Sequence, residues 1–326
     1  MVAQPELATL FAPVAAALER VEDGLWAALR DEDAEVMRPV THLLGAGGKR
    51  LRPALVLLGA WAGDGGGDTA IDVAVAAELI HMATLVHDDV IDASPTRRGR
   101  STVHAVWSQR VAVLAGDALF ARAFTLLAST GDPRLVEAMA RAVFRTCRGE
   151  IGQNLDMRTA RVPTEVEYFE RIGQKTAVLI AECVRAGAIA GGLSGPVLER
   201  MYNFGYHCGL AYQVVDDLFD LAGSAAQIGK AVGGDLAEGV VTLPIIRALT
   251  TLPEDSADRW LLLKATRGHV APAEVREALD RAGALASVAG TADELLARAR
   301  ADLDDLVPTV RDPFDQLAAY LARRTA

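Results

Sequence analysis

Lysine is scarce in this chain: of 33 basic residues only Lys49, Lys175, Lys230 and Lys264 are lysines, so each is a rare choice against arginine. Aromatic residues make up 5% of the sequence while hydrophobic residues make up 51%. The apolar mass is therefore aliphatic and small, which favours helices over the sandwiches and barrels that draw on aromatic and β-branched residues. Cysteine is sparse too. Cys147, Cys183 and Cys208 lie in apolar helical contexts with no C-x-x-C spacing, which argues against a disulfide frame or zinc site and fits a reducing cytoplasm. A net charge of -10 excludes a general nucleic-acid-binding role, so a polyanionic partner must be gripped locally. The first residues carry Glu6, Glu19, Glu22 and Asp23 and no basic stretch, unlike a signal peptide. The longest uncharged run, Met201 to Val215, is interrupted by Asn203, His207 and Gln213 and falls short of a bilayer span. A soluble protein is expected, with contact at a membrane surface left open.

What is present is helical periodicity. Leu7, Leu10, Phe11, Val14, Ala15 and Leu18 make one apolar stripe, and similar stripes recur along the chain. Breaks at Gly45–Gly48, Gly63–Asp68, Ser94–Pro95, Gly131–Pro133, Val162–Pro163, Gly191–Pro196, Gly223–Gly234 and Thr251–Asp255 predict roughly ten helices. Ile71 to Val90 and Thr176 to Ile189 have almost no polar face, so they belong inside a ring of other helices. No linker interrupts the pattern, and residues 1–326 read as one all-α domain.

Two acidic motifs carry chemistry. In His87-Asp88-Asp89-Val90-Ile91-Asp92, Asp88 and Asp92 are i, i+4 neighbours on one helical face with Asp89 beside them. Three like charges on an apolar helix repel one another, and a hard divalent cation such as Mg²⁺ removes that cost. Such a cluster alone is more often a solvated helix end. The spacing recurs at Asp216, Asp217 and Asp220, preceded by Gln213, and repetition in the same apolar setting favours the metal reading. Two such clusters on facing helices would form an acidic cleft for Mg²⁺ and a diphosphate. Basic groups follow the same logic: Lys49 and Arg50 in Gly-Gly-Lys-Arg-Leu-Arg-Pro, then Arg97 and Arg98, then Lys175-Thr176 and Lys230. Arginine offers a planar fork to phosphate oxygens and lysine a movable point charge.

These motifs, from GGKRLRP through ELIHMATLVHDDVIDASPTRRGR and GQKTA to YQVVDDLFD and GKAVGGDLAEGVVTLP, resemble the trans-polyprenyl diphosphate synthases in order and approximate spacing over nearly the whole chain. The resemblance implies a single-domain isoprenoid synthase helical bundle with a central cleft, a dimer, and about three Mg²⁺ ions per active site. It makes Asp88, Asp89, Asp92, Asp216, Asp217 and Asp220 the Mg²⁺ face. It places isopentenyl diphosphate on Lys49, Arg50, His81 and Arg98, and the allylic diphosphate on Arg97, Lys175, Thr176, Gln213 and Lys230. The implied reaction is head-to-tail condensation. The allylic C–O bond ionises, the double bond of isopentenyl diphosphate attacks the cation, and a proton is lost. Lys175, Thr176 and Gln213 resemble the cation-facing wall. His87 and His104 have no role in this pattern, and Glu150, Gln153 and Asp156 resemble a supporting segment near the cleft.

The resemblance also bears on product length. Thr84 and Ala83, four and five residues before the first aspartate, correspond to the floor of the product pocket, with Ala77 and Ile80 below them. Small residues there predict a medium- or long-chain product, as for quinone side chains, with Phe120, Phe124 or Phe144 as deeper stops. Ordinary alanine packing between close helices is the alternative. A short-chain geranylgeranyl or farnesyl diphosphate synthase and a subunit dependent on a partner chain are the competing readings, with homodimer or heteromer open. Val240 stands where the family often has lysine, which bears on closure over the diphosphate.

Overall fold

Small aliphatic residues at helical spacing, punctuated by glycine and proline, produce helices joined by short connections. The computed structural model describes residues 10–30, 33–159, 161–222, 233–268, 270–304, 306 and 308–323. Its longer helices are α1 (Ala15–Ala28), α2 (Ala34–His42), α3 (Leu51–Trp61), α4 (Gly67–Ile91), α5 (Gln109–Ser129), α6 (Pro133–Thr159), α7 (Glu165–Ile172), α8 (Val178–Ala190), α9 (Pro196–Ala222), α10 (Leu243–Thr251), α11 (Ala257–Ala265), α12 (Pro272–Arg281), α13 (Ala284–Ala301) and α14 (Pro308–Arg323). The only strands among the described residues are β1 (Thr96–Arg97) and β2 (Arg100–Ser101), an antiparallel hairpin. The C-terminal third holds more and shorter helices than the sequence predicts. Gly239, Gly268 and Gly283 adopt positive φ there and end helices within stretches that read as continuous.

The chain divides into two compact units: Met1–Val143 with Glu182–Tyr202 and Pro308–Pro313, and Phe144–Ala181 with Asn203–Val307 and Phe314–Ala326. In the first unit α4 packs against α1, α3 and α5, and its side chains from Val73 to Ile80 are all buried. The apolar stretch Ile71 to Val90 is thus a core helix, as its composition predicts. Within this unit α3 meets α8 at glycine. A Cβ on Gly187 would lie 1.9 Å from the Val56 carbonyl oxygen, and one on Gly59 would lie 2.3 Å from that of Val184, so any side chain at either position separates the two backbones.

In the second unit α7 begins with a capping box. The Glu167 N–H bonds to the Thr164 hydroxyl, and the Thr164 N–H bonds back to the Glu167 carboxylate. The sequence predicts a helix beginning at Thr176, yet Gly173–Ala177 forms a π-helical turn and α8 begins only at Val178. Arg247 ties α10 to both neighbours, donating to Glu165 at 2.6 Å and to the Ser287 carbonyl at 2.9 Å.

Among the described residues two helices are long and apolar enough, by length and composition, to cross a membrane: α4 and α5. In α4 72% of the most apolar window is packed inside the fold, which accounts for its composition. The figure for α5 is 33%, and Leu114 on it is 66% exposed beside exposed Val113.

Candidate active site

The last turn of α4 carries the first acidic motif. The helix stops because Asp92 is its C-cap and Ala93 turns left-handed at φ 50°. Asp88 is half-buried and Asp92 exposed, while Asp89 is buried and accepts a 2.6 Å bond from Arg97 Nε. The β1–β2 hairpin brings Arg97 back onto Asp89, and Arg98 at its tip donates to the Gly47 carbonyl. Thus the arginine expected on a diphosphate and one aspartate expected on a metal are paired with each other.

The GGKRLRP loop separates two arginines that look equivalent in sequence. Arg50 is left-handed, at φ 50° and ψ 35°, and caps α3. Its guanidinium is engaged by Glu22 at 2.8 and 3.0 Å and by Glu78 at 2.9 Å. Two carboxylates therefore occupy the side chain that the sequence reading offers to isopentenyl diphosphate. Arg52, two residues on, has a buried Nε with no hydrogen-bond partner. Lys49 is exposed. Burial, and then the charges of Arg52, Arg98, Arg97 and Arg50, hold His81 well below its ordinary value near 6.5, so its ring is neutral at physiological pH. Burial, with help from Arg50, Arg97 and Arg52, also lowers the pKa of Arg98, against the opposing pull of Glu78. Arginine charges gathered around a neutral histidine make a site for a polyanion.

Of the pocket residues, Ala77, Ile80 and Ala83 are wholly buried, and Thr84 donates to the His81 carbonyl at 2.8 Å. Phe120 packs its ring 5.8 Å from that of His87, which also bonds the Val113 carbonyl at 3.0 Å. Phe144, in the second unit, is 70% exposed, so it is a surface residue and not a deep stop for a growing chain.

In the second unit the π-turn holds Lys175 and Thr176. Lys175 pairs with Glu150 at 2.7 Å and reaches Gln153 at 3.4 Å, so the GEIGQNLD segment contacts the lysine directly. Gly149 permits this approach, since a Cβ there would lie 2.8 Å from the Lys175 backbone nitrogen. The Thr176 hydroxyl donates to Gln213 Oε1 at 2.7 Å, and Gln213 Nε2 donates to Asp217 Oδ1 at 2.8 Å. Tyr168 donates to the other oxygen of Asp217 at 2.7 Å. Asp220 accepts from the backbone N–H groups of Gly234 and Asp235 at 3.0 and 3.2 Å, and Asp216 is exposed. Lys230 lies outside the described residues.

Burial pushes Asp217 up to about 6, against the hydrogen bonds from Gln213 and Tyr168. Burial, then the charges of Asp217, Asp220, Asp216 and Glu238, raises Asp235 to about 8. Crowded carboxylates whose ionised forms are this costly have the oxygen donors and unbalanced charge that suit Mg²⁺. Among the described residues no three His, Cys, Asp or Glu side chains converge as a ready-made cage.

Sequence reasoning passes over Arg52, Tyr168 and Asp235. Arg52 is visible within its motif. Tyr168 stands seven residues before Lys175 in a chain poor in aromatics, a signal available only in outline.

The sequence pattern described as Polyprenyl synthetase matches residues 33–281. The chain is 40% identical over 315 residues to "Heptaprenyl diphosphate synthase component 2" of Geobacillus stearothermophilus, covering 94% of this chain and 95% of that protein. The fold matches a decaprenyl diphosphate synthase from Rhodobacter capsulatus with a TM-score of 0.90 at 33% identity, over 98% of this chain and 99% of that one. It also matches a polyprenyl synthase from Caulobacter crescentus CB15, solved with calcium and isoprenyl diphosphate, with a TM-score of 0.87 at 32% identity over 98% of both chains.

Proposed function

The chain belongs to the polyprenyl synthetase family, and from that premise we propose that it is a Mg²⁺-dependent prenyltransferase condensing isopentenyl diphosphate with an allylic diphosphate into a medium- or long-chain trans-polyprenyl diphosphate, of the kind used for quinone side chains. The observation that carries this reading is the arginine cluster around neutral His81, with the buried, unpartnered Nε of Arg52. His81 at its centre lies on the helix that bears Asp88, about 10 Å along the axis for seven residues. A polyanion is thereby offered a seat beside a carboxylate-lined helix end.

Arg52, Arg98, His81 and Lys49 hold isopentenyl diphosphate in this reading, with Arg52 taking the place first expected of Arg50. Arg97 and Lys175 receive the allylic diphosphate, and Lys230 is kept in the same role. Asp88, Asp92 and Asp216, which reach solvent, hold the metal most directly, with Asp89, Asp217 and Asp220 engaged by protein donors around them. Mg²⁺, when bound, supplies positive charge to the departing diphosphate. Thr176, held by Gln213, turns its hydroxyl oxygen toward the allylic cation. The core closes out water that would quench it. The two units are proposed to serve one reaction within a single polyprenyl synthetase domain, with about three Mg²⁺ ions per active site.

A homodimer is the proposed assembly, because Val113 and Leu114 leave an apolar face of α5 uncovered. A partner chain is the second reading, favoured by the name "component 2" of the Geobacillus relative. The proposed setting is the cytoplasm, where buried Cys183 and Cys208 remain thiols, with product leaving at a membrane surface. Asp88→Ala and Asp216→Ala test the assignment: each is expected to abolish Mg²⁺-dependent condensation while the circular-dichroism spectrum stays helical. A variant of normal activity would overturn the metal assignment.

A further inference from the structure

Four side chains of the second unit form one hydrogen-bonded chain: Tyr168 to Asp217, Gln213 to Asp217, and Thr176 to Gln213, at 2.7, 2.8 and 2.7 Å. Tyr168 is 1% exposed and Asp217 is 4% exposed, so water cannot substitute for either partner. The direction of every proton follows from chemistry. An ionised carboxylate only accepts, so the amide nitrogen of Gln213 faces Asp217 and its oxygen faces Thr176. That oxygen also only accepts, so the hydrogen of the Thr176 hydroxyl must lie on it. The hydroxyl is left with lone pairs, and no proton, for whatever stands on its open side. Tyr168 closes the chain at its far end by donating to the second carboxylate oxygen, which fixes the plane of Asp217 and through it the Gln213 amide.

We propose that Tyr168 is a positioning residue for the condensation. Through Asp217 and Gln213 it holds the Thr176 hydroxyl with its oxygen lone pairs toward the allylic cation, and it never touches substrate. The inference rests on the proposed prenyl transfer at Thr176. In that reaction the allylic C–O bond breaks with its electron pair leaving on diphosphate, the isopentenyl π-pair forms the new C–C bond, and a proton is lost from the isopentenyl carbon skeleton. Only the short-lived cation profits from an oriented oxygen, so the relay affects turnover rather than ground-state binding.

Tyr168→Phe keeps the ring, its edge contact with Phe169 at 5.3 Å and the Arg171 guanidinium above it, and removes only the donor. The expected result is a kcat loss of roughly ten-fold or more with KM for isopentenyl diphosphate unchanged. An allylic diphosphate analogue with a protonated amine in place of the cationic carbon should bind correspondingly more weakly in calorimetry, while its uncharged carbon isostere binds as to wild type. In a Thr176→Val background, adding Tyr168→Phe should cost nothing further. Unchanged kcat, equal weakening of charged and uncharged analogues, or a full additional loss in the Thr176→Val background would each overturn the relay. If Tyr168→Phe does not fold, Gln213→Asn, whose shorter amide cannot span both partners, must show the same selective loss of the charged analogue. Wild-type enzyme in the same assay separates the two proposals. No wild-type condensation, alone or with a partner chain supplied, defeats the proposed function, whereas wild-type condensation with an unaffected Tyr168→Phe defeats the relay alone.

Discussion

Replacing Arg50 by methionine keeps most of the side-chain volume and removes the cation that two carboxylates share. The Arg50 side chain is 8% exposed and that of Glu78 is 3% exposed, whereas Glu22 is 37% exposed. Loss of the guanidinium leaves Glu78 as an uncompensated buried charge, which costs about 3–5 kcal/mol. The contact to Glu22 adds only about 0–1 kcal/mol because water screens it. At about 1.5 °C per kcal/mol for a chain of 326 residues, Tm falls by roughly 4–9 °C. Urea unfolding followed by circular dichroism reads the same loss as a lower midpoint. Adding Glu78→Gln to Arg50→Met should return about half of it or more, because the stranded charge is then gone. Arg52→Met is the counterpart: its midpoint stays within about 1 kcal/mol of wild type, as expected for a side chain outside any buried ion pair, while affinity for isopentenyl diphosphate drops. The reasoning is refuted if Arg50→Met unfolds at the wild-type urea concentration yet loses isopentenyl diphosphate, and Arg52→Met loses neither.

Glu167 is held at about 2 by the Thr164 N–H, then by Arg161 and the Thr164 hydroxyl. Its contribution to stability is full above its unfolded value near 4.5 and is lost as pH falls through about 2. Glu167→Gln should therefore flatten that part of the acid limb when unfolding is followed against pH, and Thr164→Ala should cost about 1 kcal/mol at neutral pH. His81 has the opposite proton affinity. Its pKa is depressed in the fold, so the unfolded chain binds a proton that the native one refuses and stability declines as pH drops below about 6.5. His81→Gln should remove that slope in urea midpoints measured between pH 7 and pH 5. Gly187→Val should destabilise by about 1–3 kcal/mol or more, read by thermal unfolding, because its side chain must push Val56 away.

Much of this architecture is legible in the sequence because it depends on local pattern. The apolar run of α4 could only be a core helix, and the paired aspartate motifs announce themselves by spacing. The difference between Arg50 and Arg52 is not legible. Both sit in one motif with the same chemistry, and what separates them is Glu22 and Glu78, each 28 residues from Arg50 along the chain. Tyr168 escapes for the same reason: its partner Asp217 is 49 residues away. Thr176 reads as part of a regular helix because a π-turn has no distinct hydrophobic period. Phe144 reads as a pocket stop because an aromatic residue in a helix carries no mark of the side it faces.

The central claim is condensation by this chain. The most direct measurement incubates the purified protein alone with farnesyl diphosphate, isopentenyl diphosphate and Mg²⁺, and reads the products by mass spectrometry. The predicted result is a Mg²⁺-dependent series of polyprenyl diphosphates extending beyond twenty carbons. A stop at twenty carbons would contradict the long-chain assignment, and no condensation, alone or with a partner chain supplied, would contradict the prenyltransferase itself.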